Sequence, residues 1–181
     1  MTAQVRVTGT ASVEQVSLIE PYEPPSAEYV QASRRDEYWA GPARLMVERL
    51  LLDAGGYGLS GLWSLAKAAQ QATLRLALDP AVDPDLSMTH AAMDLGELLE
   101  ELEWSHPAVP TCAVAVDLGE PPVDPVACRE IIAALLVGAL EVTATVLRRP
   151  VGESSTAEVL MLARVVHLLT AAHLRVAGRM P

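Results

Sequence analysis

The 181-residue chain has no phenylalanine, no asparagine and a single lysine, Lys67, with arginine supplying the rest of the basic side. These gaps read as the codon usage of a GC-rich genome rather than as chemistry. They leave alanine, leucine and valine to build the core, and all but valine are good helix formers. Cysteine is scarce as well. Cys112 and Cys128 are too few for a disulfide framework. Cys128 falls on the first turn of a predicted helix and Cys112 in the loop before it. Two reduced, partly buried thiols are expected, with a bridge closing that loop as the alternative. Basic residues number 13 against 23 acidic ones, a formal net charge of −10. That balance argues against nonspecific nucleic-acid binding, which requires a basic footprint, and against attraction to an anionic membrane surface. The basic pairs Arg34-Arg35 and Arg148-Arg149 lie beside predicted helix ends, where solvated caps explain them. Long apolar runs are missing too: the longest, residues 131–140, is too short to span a bilayer and is followed by Glu141. Residues 1–17 lack the basic-then-apolar pattern of an export signal. A cytoplasmic protein that binds neither nucleic acid nor membrane is expected.

Catalytic and metal-binding patterns are equally thin. No two histidines stand three or four residues apart, and no Cys-x-x-Cys occurs. His173 follows His167 by six residues, a third of a turn round the helix. One Glu-x-x-His pair exists, Glu103 and His106, but it abuts Pro107; a ferritin-like di-metal bundle needs two such pairs facing inward plus two further glutamates. There is no nucleophile elbow and no P-loop. Gly56, Gly58 and Gly61 match G-x-G-x-x-G, yet a helical stripe precedes them where the dinucleotide fingerprint needs a strand. They are read as a helix–helix turn in which glycine takes positive φ. Glu97 and Glu100 have Glu-x-x-Glu spacing. In this they resemble the helical nucleoside-triphosphate pyrophosphohydrolases of the MazG type, where such a pair holds Mg²⁺. The second, Glu-x-x-Asp, pair of that family is missing from the following helix. The acidic run Glu97, Glu100, Glu101 and Glu103 is therefore read as a solvated face. Asp79, Asp83 and Asp85, interleaved with Pro80 and Pro84, read as turn-forming acids at a helix end. No cofactor and no metal are expected.

What the chain does have is helical periodicity. Residues 1–25, with Pro21, Pro24 and Pro25, read as an extended or mobile arm, and residues 26–181 as one helical-bundle domain. A short helix is predicted over residues 26–40. Pro42 suits the first turn of the next helix, whose stripe of Leu45, Met46, Leu50 and Leu51 stops at Gly55-Gly56. A third helix runs over residues 60–78. Ser87 is the predicted cap of a helix over 88–105, with Ala91, Ala92, Leu95, Leu98, Leu99 and Leu102 inward. Residues 112–116 are compatible with one short strand inside a loop. Asp124-Pro125 supplies a cap and first-turn proline for a helix ending before Pro150. Ser155 and Glu158 form a capping box for the last helix, and Gly178 stops it. The sum is an all-α antiparallel bundle of four to five main helices with an irregular N-terminal arm.

The last two helices are apolar on nearly every side, which usually means burial. Their few polar side chains are therefore the candidate site. If the turn between them centres on residues 151–152, Glu141 lies level with about Leu162. A buried Glu141–Arg164 pair is then expected, with His167 one turn beyond and Trp63 or Trp104 as walls. Two functional readings follow. One is a non-catalytic interaction or accessory protein, a homodimer or a subunit of a complex, because two all-round apolar helices leave a face for a partner. The other is a small-molecule binder or enzyme holding a small apolar ligand in the core pocket lined by Glu141, Arg164, His167, Trp63 and Trp104, with Glu141 or His167 as general acid or base.

Overall fold

The computed structural model describes residues 39–52, 54–114, 118, 121, 124–148 and 155–179. The arm expected over residues 1–25, and all but the end of the helix expected over 26–40, lie outside the described residues. The described residues form six helices: α1 (Ala40–Leu52), α2 (Ala54–Ala77), α3 (Ser87–Ser105), α4 (Val109–Cys112), α5 (Pro125–Leu147) and α6 (Thr156–Val176). Among the described residues there is no strand. The expected all-α bundle is what forms.

The four long helices stand in a ring, each packed against two neighbours: α2 on α3 and α5, α6 on α3 and α5. Side-chain contacts give the directions. Trp63 meets Glu103 and Gln70 lies beside Gly96, so α2 and α3 are antiparallel. Asp94 meets Arg175 and Glu97 meets Arg164, so α3 and α6 are antiparallel. Arg129, in the first turns of α5, reaches the carbonyl of Val176 at the end of α6, so these two are antiparallel as well. The order is thus up, down, down, up. The diagonal pair α3 and α5 run the same way, with α4 between them in the chain. Helix α1 packs outside the ring, on α5 and α2.

The core follows from the helical stripes. Leu62, Leu65, Ala69, Leu95, Leu98, Leu102, Ile132, Leu135, Ala139, Leu162, Val165 and Leu169 belong to one continuous buried cluster. The inward face expected for α3 is buried throughout. Buried hydroxyls are satisfied locally: Thr73 and Thr143 each donate to the carbonyl four residues back, the usual outlet for a helical threonine.

Two helix starts match their sequence signals. Asp124 accepts the Val126 amide with Pro125 behind it, and Ser155 Oγ accepts the Glu158 amide at 3.1 Å. The start of α3 differs. Ser87 is not its cap but a buried residue of its first turn, preceded by Leu86 at φ 59. The free amides of Met88 and Thr89 are taken by the carboxylate of Asp83 at 2.8 and 2.9 Å. A left-handed Leu86 turns the chain so that an acid further back reaches the helix end. The glycine-rich segment differs too. Helix α2 begins at Ala54, ahead of the expected turn, and the positive φ sits inside it as a kink at Gly58 (φ 47, ψ −119). Only glycine occupies that region without strain. Of the segment compatible with a strand, Cys112 belongs to α4, and the Val114 amide donates to Ser64 Oγ at 2.9 Å; residues 115–117 lie outside the described residues. No disulfide joins Cys112, which is exposed, to Cys128, which is buried. Burial first, and the Asp124 charge second, push the Cys128 thiol up, which makes it a poor nucleophile.

By length and composition alone, α5 and α6 are apolar enough to cross a membrane, although their uninterrupted runs are short. Core helices of globular bundles meet the same criterion, and the faces of α5 and α6 toward α2 and α3 are part of the common core.

Two glycines mark close helix approaches with opposite consequences. A Cβ on Gly138 of α5 would stand 3.1 Å from both γ-methyls of Val47 on α1, whereas one on Gly96 of α3 would meet only the amide end of Gln70, at 3.2 Å. Valine is stiff at χ1 in a helix and cannot withdraw; a glutamine tip can. Replacing a mid-helix glycine by alanine gains about 0.8–1.0 kcal/mol of helix propensity, while overpacking costs about 1–3 kcal/mol. Gly96→Ala is expected to raise the thermal midpoint or leave it unchanged, and Gly138→Ala to lower it. Melting curves in which Gly138→Ala is the more stable of the two contradict this.

Candidate functional site

The polar residues singled out from the sequence do not converge in the core. Glu141 is exposed on α5, Arg164 and His167 are exposed on α6, and Trp104 is 88% exposed at the end of α3. The expected buried Glu141–Arg164 pair is not formed. The short connection between the helices sets the height of the two residues but says nothing of their rotation. Helix α5 turns Leu135, Leu136, Ala139, Val142 and Thr143 inward, which sends Glu141 out. Helix α6 turns Met161, Leu162, Val165, Leu168 and Leu169 inward. Arg164 then sits on the flank facing α3, where it pairs with Glu97 and, at 3.7 Å, with Glu101.

Two of the five residues, Trp104 and Arg164, line one depression at the surface. Helix α3 buries its leucine face and so presents its glutamates outward. Glu97, Glu100, Glu101, Glu103, Trp104 and Arg164 line an open depression of about 590 Å³. Beside it Trp63, half-buried on α2, donates its indole N–H to Glu103 at 2.9 Å. Arg164 is pushed up further from its ordinary value by the Glu97 hydrogen bond first, then by the charges of Glu101 and Glu97. It stays a cation throughout. Exposed pairs of this kind are screened by water and contribute little to stability. Glu141 and His167 take no part in the depression.

The carboxylates of the depression are exposed or half-buried, and its cation, Arg164, is already paired. Among the described residues no group of three or more His, Cys, Asp or Glu side chains is placed to hold a metal ion. Glu97 and Glu100, which share a spacing with the pyrophosphohydrolase pair, both face solvent. His106, directly after α3, donates its amide to Leu102 O at 2.8 Å, and its Nδ1 is buried without a partner.

Sequence reasoning missed the polar contacts that tie the far end of the bundle together. Asp94 and Arg175 form a partly buried pair at 2.9 Å between α3 and α6. Arg129 donates to Val82 O at 3.0 Å and to Val176 O at 3.5 Å, joining α5 to the α2–α3 loop and to the end of α6. Arg129 and Arg175 stand near the termini of apolar helices, and that position was the available signal: a lone arginine there finds exposed carbonyls or an acid on the neighbour. These contacts tie the helix ends together. The chain matches no protein family, no curated protein and no solved structure.

Proposed function

We propose that the chain is a non-catalytic helical interaction protein that works as a homodimer or as a subunit of a larger complex. One observation carries the reading. The two most apolar helices bury only 44% and 39% of the residues in their most apolar stretches. Val137 and Leu147 on α5, and Val159 and Leu160 on α6, are left in water. Apolar surface of this extent on neighbouring helices is the kind that a protein partner covers. The core-pocket alternative is disfavoured, because Glu141, Arg164, His167 and Trp104 are all exposed.

The test is size-exclusion chromatography with light scattering on the wild-type chain at micromolar concentration. A mass above that of one chain supports the reading. A single monodisperse monomer, with no partner retained on co-purification, counts against it.

A further inference from the structure

The outer face of α6 carries a second apolar seam. The inner seam of this helix fills the core. On the opposite side stand Leu160, Ala163, His167, Ala171 and Leu174, of which Leu160 (67%), Ala163 and His167 are exposed and the last two half-buried. Their spacing of four and three residues keeps them on one stripe of the helix. On one flank of the stripe stand Thr170, whose hydroxyl donates to Val166 O at 2.7 Å, and beyond it Val159 and Val166; Arg164, on the other, is already held by Glu97 and Glu101. No acid interrupts it.

The stripe reads the same in both directions. Counted from His167, leucine stands seven residues before and seven after, and alanine four before and four after. A two-fold interface brings one patch against its own copy, so it has to be self-complementary under reversal. We infer that two copies of the chain associate through the outer seam of α6, antiparallel, with the two-fold axis passing by His167. Leu160 then packs on Leu174 of the second copy, and Ala163 on Ala171. The alanines on either side of the axis let the backbones approach, as small residues do between helices. The apolar residues left exposed on α5, which packs beside α6, widen the contact beyond what one helix pair covers. The inference rests on the homodimer form of the proposed function and gives it a location and an orientation.

Cysteine cross-linking separates this geometry from others. In a Cys112→Ser background, which removes the exposed thiol, single cysteines are placed at 160, 167 and 174 and oxidised under mild conditions. His167→Cys is expected to form a disulfide-linked dimer alone, because residues at the axis face their own copies. Leu160→Cys and Leu174→Cys are expected to cross-link with each other when mixed and not with themselves. Leu160→Cys joining only itself would mean a parallel seam and overturn the proposal. Light scattering supplies a second arm. Ala163→Glu changes an exposed helical position, so the fold is retained by circular dichroism while the dimer peak is lost; Met93→Glu, exposed on α3, leaves the dimer intact. A dimer that survives Ala163→Glu overturns the seam and leaves the homodimer reading standing. A wild-type monomer overturns both, and one that floats with phosphatidylcholine vesicles shows that lipid covers the face instead.

Discussion

Trp39→Ala is expected to lower stability by about 3–5 kcal/mol, the range for truncating a buried aromatic to alanine. Trp39 is the largest residue among the fully buried side chains, at 0% exposure. It stands immediately before α1, and its carbonyl accepts the Ala43 amide at 3.0 Å. The side chain therefore pins the outermost helix to the ring while the backbone starts that helix. Helix α1 has a modest apolar stripe of its own, Ala43, Met46 and Leu50, so the indole is a large share of what it buries. Against a total of about 5–15 kcal/mol for a domain, the loss is large. At about 2–4 °C per kcal/mol for a chain of this size, the thermal midpoint falls by roughly 6–20 °C. Thermal unfolding followed by far-ultraviolet circular dichroism measures it. Trp39→Phe, which keeps most of the apolar volume, is expected to fall well short of that loss. A midpoint for Trp39→Ala within about 2 °C of wild type would show that α1 is not anchored through this residue.

The fold was legible because one signal, apolar spacing near 3.6 residues, recurs in every long segment. The stripe of α3 predicts its buried face residue by residue. The caps of α5 and α6 were legible for a related reason: an Asp-Pro or a Ser-x-x-Glu carries its structure within four residues. Asp83 shows where that locality ends. Its carboxylate caps a helix that begins four residues later, through a left-handed leucine that no propensity favours. The candidate site failed for a different reason. Equal height along two antiparallel helices follows from loop length, but the azimuth of each helix is set by the whole ring of neighbours. Glu141 and Arg164 are level in sequence and face different neighbours. Apolar residues on all sides of α5 and α6 also suggest burial on all sides. The chain instead uses one stripe for the core and leaves the other in water, so exposure could not be assigned from hydropathy alone.

Asp83→Ala is expected to destabilise the chain by about 2–3 kcal/mol, from a lost cap of about 0.5–2 kcal/mol and from amides left without an acceptor, about 1–3 kcal/mol where buried. Asp83 is 2% exposed. It accepts from the Met88 and Thr89 amides, from the Thr89 hydroxyl at 2.9 Å and from the Ser87 hydroxyl at 3.3 Å. Burial pushes the carboxyl up. The hydrogen bonds from Met88 and Thr89, together with those from the Thr89 and Ser87 side chains, outweigh burial and hold it below its ordinary value of 3.8. The sign of the pH effect follows. Between 3.8 and the lower value in the fold, the unfolded chain holds a proton that the folded chain does not. Stability from this group is thus fully present above 3.8 and is lost as pH falls through the folded value. Asp85, held low by the Ser87 side chain and then the Ser87 amide, adds an acid dependence of the same sign, so the informative quantity is the difference between wild type and variant. That difference, measured by urea unfolding, is expected to be constant near neutral pH and to shrink below pH 3.8 as wild type loses the charged cap. Asp83→Asn, which keeps one acceptor and loses the charge, falls between the two at neutral pH. A gap between wild type and Asp83→Ala that stays constant down to the acid limit would show that the carboxylate is not what caps α3.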